Sequence, residues 1–393
     1  MRPLDGIKVV EFARVLAGPM ATQILADQGA EVIKIERPGT GDETRVFEPF
    51  FENGPSAYYS AFNRGKKSVA IDLRSEEGRK IALDLAAGAD VVVENFLPGG
   101  MDKLGLGYET VKARNEGVIY ISSTGFGQTG PYSDRKGYDT VFQALSGVVD
   151  LTGHPDGPPA KSGVPFADLT SGLWIAISVL TGLVGRAASG KGCHVDLSMM
   201  DVQVSMLSLP AARWFAQGQT PERTGTEHPG RVPSAAFECL NGEWLFISGS
   251  DQHWPALCEV LGIEPPEWMA RNSDRVARRE EVMALLRNAI TGRERASLAE
   301  ALRAADVPAG EVNTVPDILN DPHTRFRNMV AHYDDPERGE TPCLGSPGRF
   351  SGYDAPDFVA PPKLGADTDD VLATTLGLDS DFIKKLKAEG VIQ

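Results

Sequence analysis

A Rossmann-like α/β domain with a parallel sheet, followed by a smaller α+β domain, is the fold this sequence predicts. Three observations carry the prediction. Short β-branched runs alternate with helical apolar spacing through the first third, a stretch rich in Gly, Pro and charge interrupts the chain near residue 217, and an Asn-Gly hairpin signal with further helical patterns follows.

Taken in order, strands are expected at Ile7 to Phe12, Val32 to Ile35, Ser68 to Leu73, Asp90 to Glu94 and Val118 to Ser122. Ala17 to Gln28 and Glu76 to Ala87 have apolar residues at helical spacing, so these runs build βαβ units and a parallel, Rossmann-like sheet. Strand one runs into Arg14-Val-Leu-Ala-Gly-Pro19 without a GxGxxG turn, which argues against a nicotinamide dehydrogenase. The large domain is expected over 1–216, a linker over 217–231 and a small α+β domain over 232–325. In the small domain Phe237 to Ile247 reads as a hairpin turning at Asn241-Gly242, and Trp254 to Leu261 and Arg279 to Ile290 read as helices. Residues 326–393 are expected to return to the large domain: strand and loop, a Pro-rich stretch from Pro356 to Pro362, then helices over Asp367 to Leu376 and Ser380 to Glu389.

With 39 Lys plus Arg against 54 Asp plus Glu the formal net charge is -15, which disfavours a nucleic-acid or anionic-membrane surface. Any anionic ligand must meet a local basic site. Cys193, Cys239, Cys258 and Cys343 lie far apart with no CxxC pair, suggesting reduced thiols rather than disulfides or zinc. The N-terminal residues lack the apolar core of a signal peptide, so a cytoplasmic protein is expected.

The stretch Gly163-Val-Pro-Phe-Ala-Asp168-Leu-Thr-Ser-Gly172 delivers one carboxylate to the start of a strongly apolar helix, Leu173 to Val184. Thr181 and Gly182 interrupt that run, which is shorter than the roughly 20 residues a bilayer needs, so a buried core helix is expected. Asp168 reads in two ways. Asp is a favoured N-cap, and a carboxylate beside free helix N–H groups is also suited to nucleophilic chemistry.

Seven pieces in order resemble the class III CoA-transferases: Pro3-Leu-Asp-Gly-Ile-Lys-Val-Val-Glu-Phe12, Ala17-Gly-Pro19, Glu31-Val-Ile-Lys-Ile-Glu-Arg-Pro-Gly-Thr-Gly-Asp42, Lys66-Lys-Ser-Val-Ala-Ile-Asp-Leu-Arg74, Val93-Glu-Asn-Phe-Leu-Pro-Gly99, Thr124-Gly-Phe-Gly127 and the segment ending at Asp168. The resemblance implies a CoA-binding large domain, an interlocked homodimer and acyl-CoA and a small carboxylic acid as substrates, with no tightly bound cofactor and no metal. It makes Asp168 the nucleophile that carries CoA. It places Val15, Leu16, Ala17, Arg37, Ile71, Arg74, Asn95, Phe96, Lys103, Lys136 and Tyr138 around the CoA moiety and Asp139 near the thioester.

The rival within this resemblance is α-methylacyl-CoA racemase, which needs histidine where this chain has Tyr138, in Gly137-Tyr-Asp139. A tyrosine with a pKa near 10 is a poor base for moving an α-proton. Transfer is therefore expected. Formyl-CoA:oxalate enzymes carry consecutive glycines where this chain has Thr224-Gly-Thr-Glu-His-Pro-Gly-Arg-Val-Pro233. That favours the succinyl-CoA-dependent branch and a dicarboxylate or analogue, with His228 and Arg231 as candidates for its remote charge. A non-catalytic CoA-binding scaffold is the reading from another class, and the intact Asp168 opposes it.

Overall fold

Val9, Val10, Val91, Val92, Val93, Ile119 and Ile121 are at most 1% exposed, as expected of parallel strands covered on both faces. The computed structural model describes residues 1–52 and 54–393. Six parallel strands, β1 (Lys8–Glu11), β2 (Glu31–Glu36), β3 (Lys66–Ala70), β4 (Val91–Glu94), β5 (Ile119–Thr124) and β6 (Cys193–Ser198), lie in the order β3-β2-β1-β4-β5-β6. This is the doubly wound order, whose ligands bind beyond the carboxyl ends of the strands. The chain forms two compact units, one of residues 1–148, 162–211 and 323–393, the other of residues 149–161 and 212–322.

Alternation along each strand sends neighbouring residues into two cores. On one face Val10, Ile33, Val69 and Val92 pack with Ile81 and Leu85 of a helix over Glu76–Ala87. Val371, Leu372, Ile383 and Leu386, from the helices Thr368–Leu376 and Ser380–Ala388, complete that core. On the other face Val9, Val32, Val91, Ile119 and Ile121 pack with helix α1 (Ala17–Asp27) and a long helix over Phe166–Ser189.

That long helix differs from its expectation in two respects. It runs for 24 residues with a mean hydropathy of 1.6 over its most apolar window, so by length and composition it meets the requirement for a membrane span. Thr181 and Gly182 do not end it, because Gly182 lies where the sheet comes close: a Cβ there would stand 2.7 Å from Ile119 Cγ2. Nor is it buried all round. Ile175, Ala176 and Val179 enter the core, whereas Leu173, Ile177, Leu180 and Val184 form an exposed apolar stripe. Gly172 sets the crossing with α1, since a Cβ there would be 2.9 Å from the Ala17 carbonyl oxygen.

The second unit has an antiparallel sheet of β7 (Ser234–Glu238), β8 (Trp244–Ser248) and β9 (Ala309–Glu311). Asn241 and Gly242 take the left-handed φ values of 61° and 75° expected at this hairpin, within a five-residue connection. Leu257, Leu261, Val282, Leu286, Leu298 and Leu302, on helices Trp254–Leu261, Arg279–Ile290 and Arg295–Ala304, form its core with Phe237 and Ile247. Residues 218–231 form neither helix nor strand and belong to this unit. Glu227 anchors them, accepting from Arg279 at 3.1 Å and Arg287 at 2.8 Å.

Candidate active site

Asp168 is the third residue of its helix, not its cap; Pro165 occupies the cap position and makes no side-chain cap bond. The cap comes from elsewhere in the chain. Asp139 opens a helix over Asp139–Leu145, and its Oδ1 accepts from the backbone N–H groups of Ala167 at 2.7 Å and Asp168 at 3.2 Å. The Gln143 amide holds Asp139 in turn, donating to Oδ2 at 2.5 Å while its Oε1 accepts from Ser162 N at 2.9 Å. Two carboxylates therefore meet at one helix N-terminus, one serving the backbone and one with its oxygens left for chemistry.

Burial, followed by the charge of Asp139, raises the Asp168 carboxyl from its ordinary 3.8 to about 7. A carboxylate so little stabilised by its surroundings gains most from becoming a neutral anhydride or thioester. Asp139→Asn keeps a capping oxygen and removes the like charge. We expect it to move the acidic limb of the kcat/KM profile down by about half to one pH unit. An unmoved limb would mean that Asp139 exerts no field on the nucleophile.

Tyr58 was not legible as a site residue, yet it neighbours this centre. Its hydroxyl is pushed up to about 12 by burial and then by the charges of Asp168, Asp42 and Asp139. Tyr58 lies on helix α2 (Ala57–Asn63) and meets Phe47 edge-on, with ring centroids 5.8 Å apart. Phe47 and Asp42 in turn line a cavity of about 780 Å³.

That cavity opens beyond the carboxyl ends of β1 to β4, with Phe12, Arg37, Ile71 and Phe96 each at or just after a strand end. Arg37, Ile71, Arg74 and Phe96, four of the residues named from sequence, line it together with Arg14, which the sequence did not single out. The carboxylates in its wall have cations of their own: Asp42 with Lys34, Glu36 with Arg45, Glu43 with Arg14 and Asp72 with Arg74. Arg37 is exposed and makes no side-chain hydrogen bond or ion pair among the described residues, so its charge is available to an anion.

The remaining predicted residues divide. Leu16 and Ala17 are 1% and 7% exposed, so their side chains serve the core and only their backbone can face a ligand. Asn95 grips the backbone of Arg14, accepting from its N–H at 3.0 Å and donating to its carbonyl at 2.8 Å. Glu94, raised to about 7 by burial, accepts from Phe96 N at 2.8 Å and steadies the same corner. Lys103 and Lys136 are exposed and outside the cavity lining, and Tyr138 is 82% exposed. Gly137 before it packs on Phe142, where a Cβ would approach ring carbon Cζ to 2.7 Å. His228 and Arg231 lie in the second unit, ahead of β7; both are surface-accessible, and the His228 ring accepts from Gly230 N at 3.1 Å.

The profile of CoA-transferase family III matches residues 4–368, spanning both the cavity and Asp168. The chain belongs to CoA-transferase family III. It is an enzyme that transfers CoA. A succinyl-CoA:glutarate CoA-transferase of Mus musculus is 36% identical over all of this chain and 91% of its own length. An acetyl-CoA:oxalate CoA-transferase of Acetobacter aceti is 38% identical over 92% of this chain and 93% of its own. Among solved structures, a CAIB/BAIF family protein from Brucella suis superposes with a TM-score of 0.85 at 43% identity, covering 95% of this chain and 99% of that one. The α/β fold is thus that of its family.

Proposed function

We propose that this CoA-transferase moves CoA from succinyl-CoA to a dicarboxylic acid or close analogue through covalent intermediates on Asp168. The observation that carries the mechanism is the half-buried Asp168, raised to about 7 beside a helix N-terminus that another carboxylate already caps. A succinyl-CoA donor is supported by full-length relatives named for glutarate and mesaconate transfer.

In the proposed sequence an Asp168 oxygen attacks the thioester carbonyl, the C–S bond breaks, and a mixed anhydride and CoA thiolate result. The thiolate then attacks the Asp168 carbonyl carbon, breaking the anhydride C–O bond; succinate leaves and an aspartyl-CoA thioester remains. The acceptor carboxylate attacks that thioester to form a second anhydride. Thiolate attack on the acceptor's acyl carbon releases the new acyl-CoA and restores the Asp168 carboxylate. Each addition builds an oxyanion, for which backbone N–H groups are the proposed donors, and the order needs neither metal nor redox change.

CoA is assigned to the 780 Å³ cavity, with Arg37 and Arg74 for its phosphates and Ile71 and Phe96 for its apolar parts; the backbone of Val15, Leu16 and Ala17, which follow the lining residue Arg14, joins the proposal on the strength of the sequence resemblance. Lys103, Lys136, Tyr138 and Asn95 join that proposal on the strength of the sequence resemblance, as does Asp139 beside the thioester. His228 and Arg231 are proposed to hold the acceptor's remote carboxylate. Arg231→Ala should raise the acceptor KM about tenfold with kcat little altered, and an unchanged KM removes it from the site. The exposed stripe Leu173, Ile177, Leu180 and Val184 supports a homodimer in which a second copy covers this helix. We place the enzyme in the cytoplasm, where its four unpaired cysteines stay reduced.

The decisive experiment is to mix protein with succinyl-CoA and trap with hydroxylamine or borohydride. Mass analysis should locate the modification on Asp168, and label should exchange between succinate and succinyl-CoA. Exchange with no adduct at Asp168 would defeat the covalent sequence. Deuterium uptake at the α-carbon without CoA transfer would favour a racemase.

A further inference from the structure

We infer that the buried Lys34–Asp42 pair is a positioning device that holds Val15 in a left-handed conformation and thereby shapes the wall of the CoA cavity. The inference rests on the assignment of CoA to that cavity. Among the described residues, five non-glycine residues have positive φ: Val15 (72°), Ser208 (39°), Asn241 (61°), Asp306 (58°) and Asn328 (54°). Asn and Asp tolerate this region, whereas a β-branched valine is strained there and stays only where its surroundings hold it.

The restraint at Val15 comes from side chains distant in sequence. Its N–H donates to both Asp42 oxygens, at 3.2 Å to Oδ2 and 3.4 Å to Oδ1. Asp42 is itself fixed: it is 1% exposed, Thr44 donates to Oδ1 from its N–H at 3.0 Å and its hydroxyl at 2.8 Å, and its own N–H donates to Glu36 Oε2 at 2.9 Å. Lys34 Nζ, wholly buried, lies 3.0 Å from Asp42 Oδ2 and donates to the Ala13 carbonyl at 2.8 Å. One ammonium therefore grips the turn directly at residue 13 and, through Asp42, at residue 15. Asn95 holds residue 14 between them, from the end of β4.

This arrangement has a consequence for the cavity. The left-handed Val15 swings the chain from β1 into α1 and leaves Arg14 on the cavity wall, its guanidinium 5.4 Å from the Phe96 ring centroid. Burial pushes Asp42 up, but the Lys34 charge and the Thr44 hydrogen bonds outweigh it and hold the carboxyl down to about 2, so the clamp stays ionised at neutral pH. A buried pair of this kind is seldom the cheapest way to fill a core, and its placement at both ends of a strained turn accounts for it.

Glycine takes a φ of 72° without steric cost, which supplies the test. Asp42→Asn should weaken CoA binding about tenfold in calorimetric titration and speed hydrogen exchange at residues 13–17. Adding Val15→Gly should bring the Kd back to within about threefold of wild type, a rescue that a purely structural ion pair would not show. An Asp42→Asn protein that binds CoA normally, or one that Val15→Gly fails to rescue, overturns the proposal. If Asp42→Asn alone does not fold, a double variant equally unfolded overturns it as well. Arg37→Ala separates the two layers. If it leaves CoA binding unchanged, the cavity assignment falls; if it weakens binding while Asp42→Asn does not, the clamp alone falls.

Discussion

Replacing Asp168 by Asn is expected to lower the rate of CoA transfer by at least about 10³ while making the protein more stable above neutral pH. The first effect follows from the chemistry. An amide nitrogen or oxygen is a poor nucleophile toward a thioester and yields no anhydride that CoA thiolate can open, so the covalent route closes. CoA should still bind, because Asp168 does not line the cavity. The second effect follows from linkage. Asp168 titrates at about 7 in the folded chain against an ordinary 3.8, so between these values the native state binds more protons than the unfolded one. Its contribution is fully present below pH 3.8 and is lost as pH rises through about 7. Removing the carboxylate removes that loss. After a discount for partial solvent access, the gain should be about 1–2 kcal/mol at pH 8, read from denaturant melts. A variant that keeps full activity, or is less stable at pH 8 than at pH 5 by as much as wild type, contradicts this account of Asp168.

Most of the sheet was legible because its strands are buried on both faces and spelled by β-branched residues. The edge strand β6 escaped, since Cys193, His194, Val195 and Asp196 alternate between half-buried and exposed and carry no continuous apolar run. The long helix was found through its apolarity, but composition alone did not reveal that only one face enters the core. Asp168 was found through its place before that helix, whereas its relation to the helix end was misread. The residue that caps the end is Asp139, 29 positions earlier, and a long-range cap leaves no local signature. Tyr58 and Asp42 escaped for the same reason. Their neighbours at the site are set by the crossing of strands, and the resemblance named residues near CoA without saying that Asn95 acts on the Arg14 backbone.

Glu11→Gln should cost about 3–5 kcal/mol at neutral pH, the largest stability loss expected from a change that keeps shape and volume. Glu11 ends β1 directly before the turn that lines the cavity, with one oxygen 3.4 Å from Lys34 Nζ and the other 2.9 Å from Lys66 Nζ. All three side chains are fully buried. Lys34 retains Asp42 when Glu11 is neutralised, but Lys66 is left with only neutral acceptors, the Pro19 carbonyl and Asn63 Oδ1, each at 2.9 Å. Burial already lowers Lys66 to about 8, against 10.5 for a free lysine, so the folded state binds fewer protons than the unfolded across that window and stability rises with pH there. Glu11→Gln lowers the folded value further. Its penalty should therefore be greatest below pH 8, where wild-type Lys66 is still charged, and shrink above it, where the amine is neutral in both proteins. Melts at pH 6.5 and pH 9.5 test the sign. A loss independent of pH would mean that packing, not an unpaired ammonium, sets the cost. A Glu11→Leu/Lys66→Met pair should recover most of the stability, because a matched apolar replacement removes both charges and leaves neither buried alone. CoA affinity should recover with it only if Lys34 and Asp42 suffice to hold the turn, so the same double variant weighs the clamp at Val15 against the ion network beneath it.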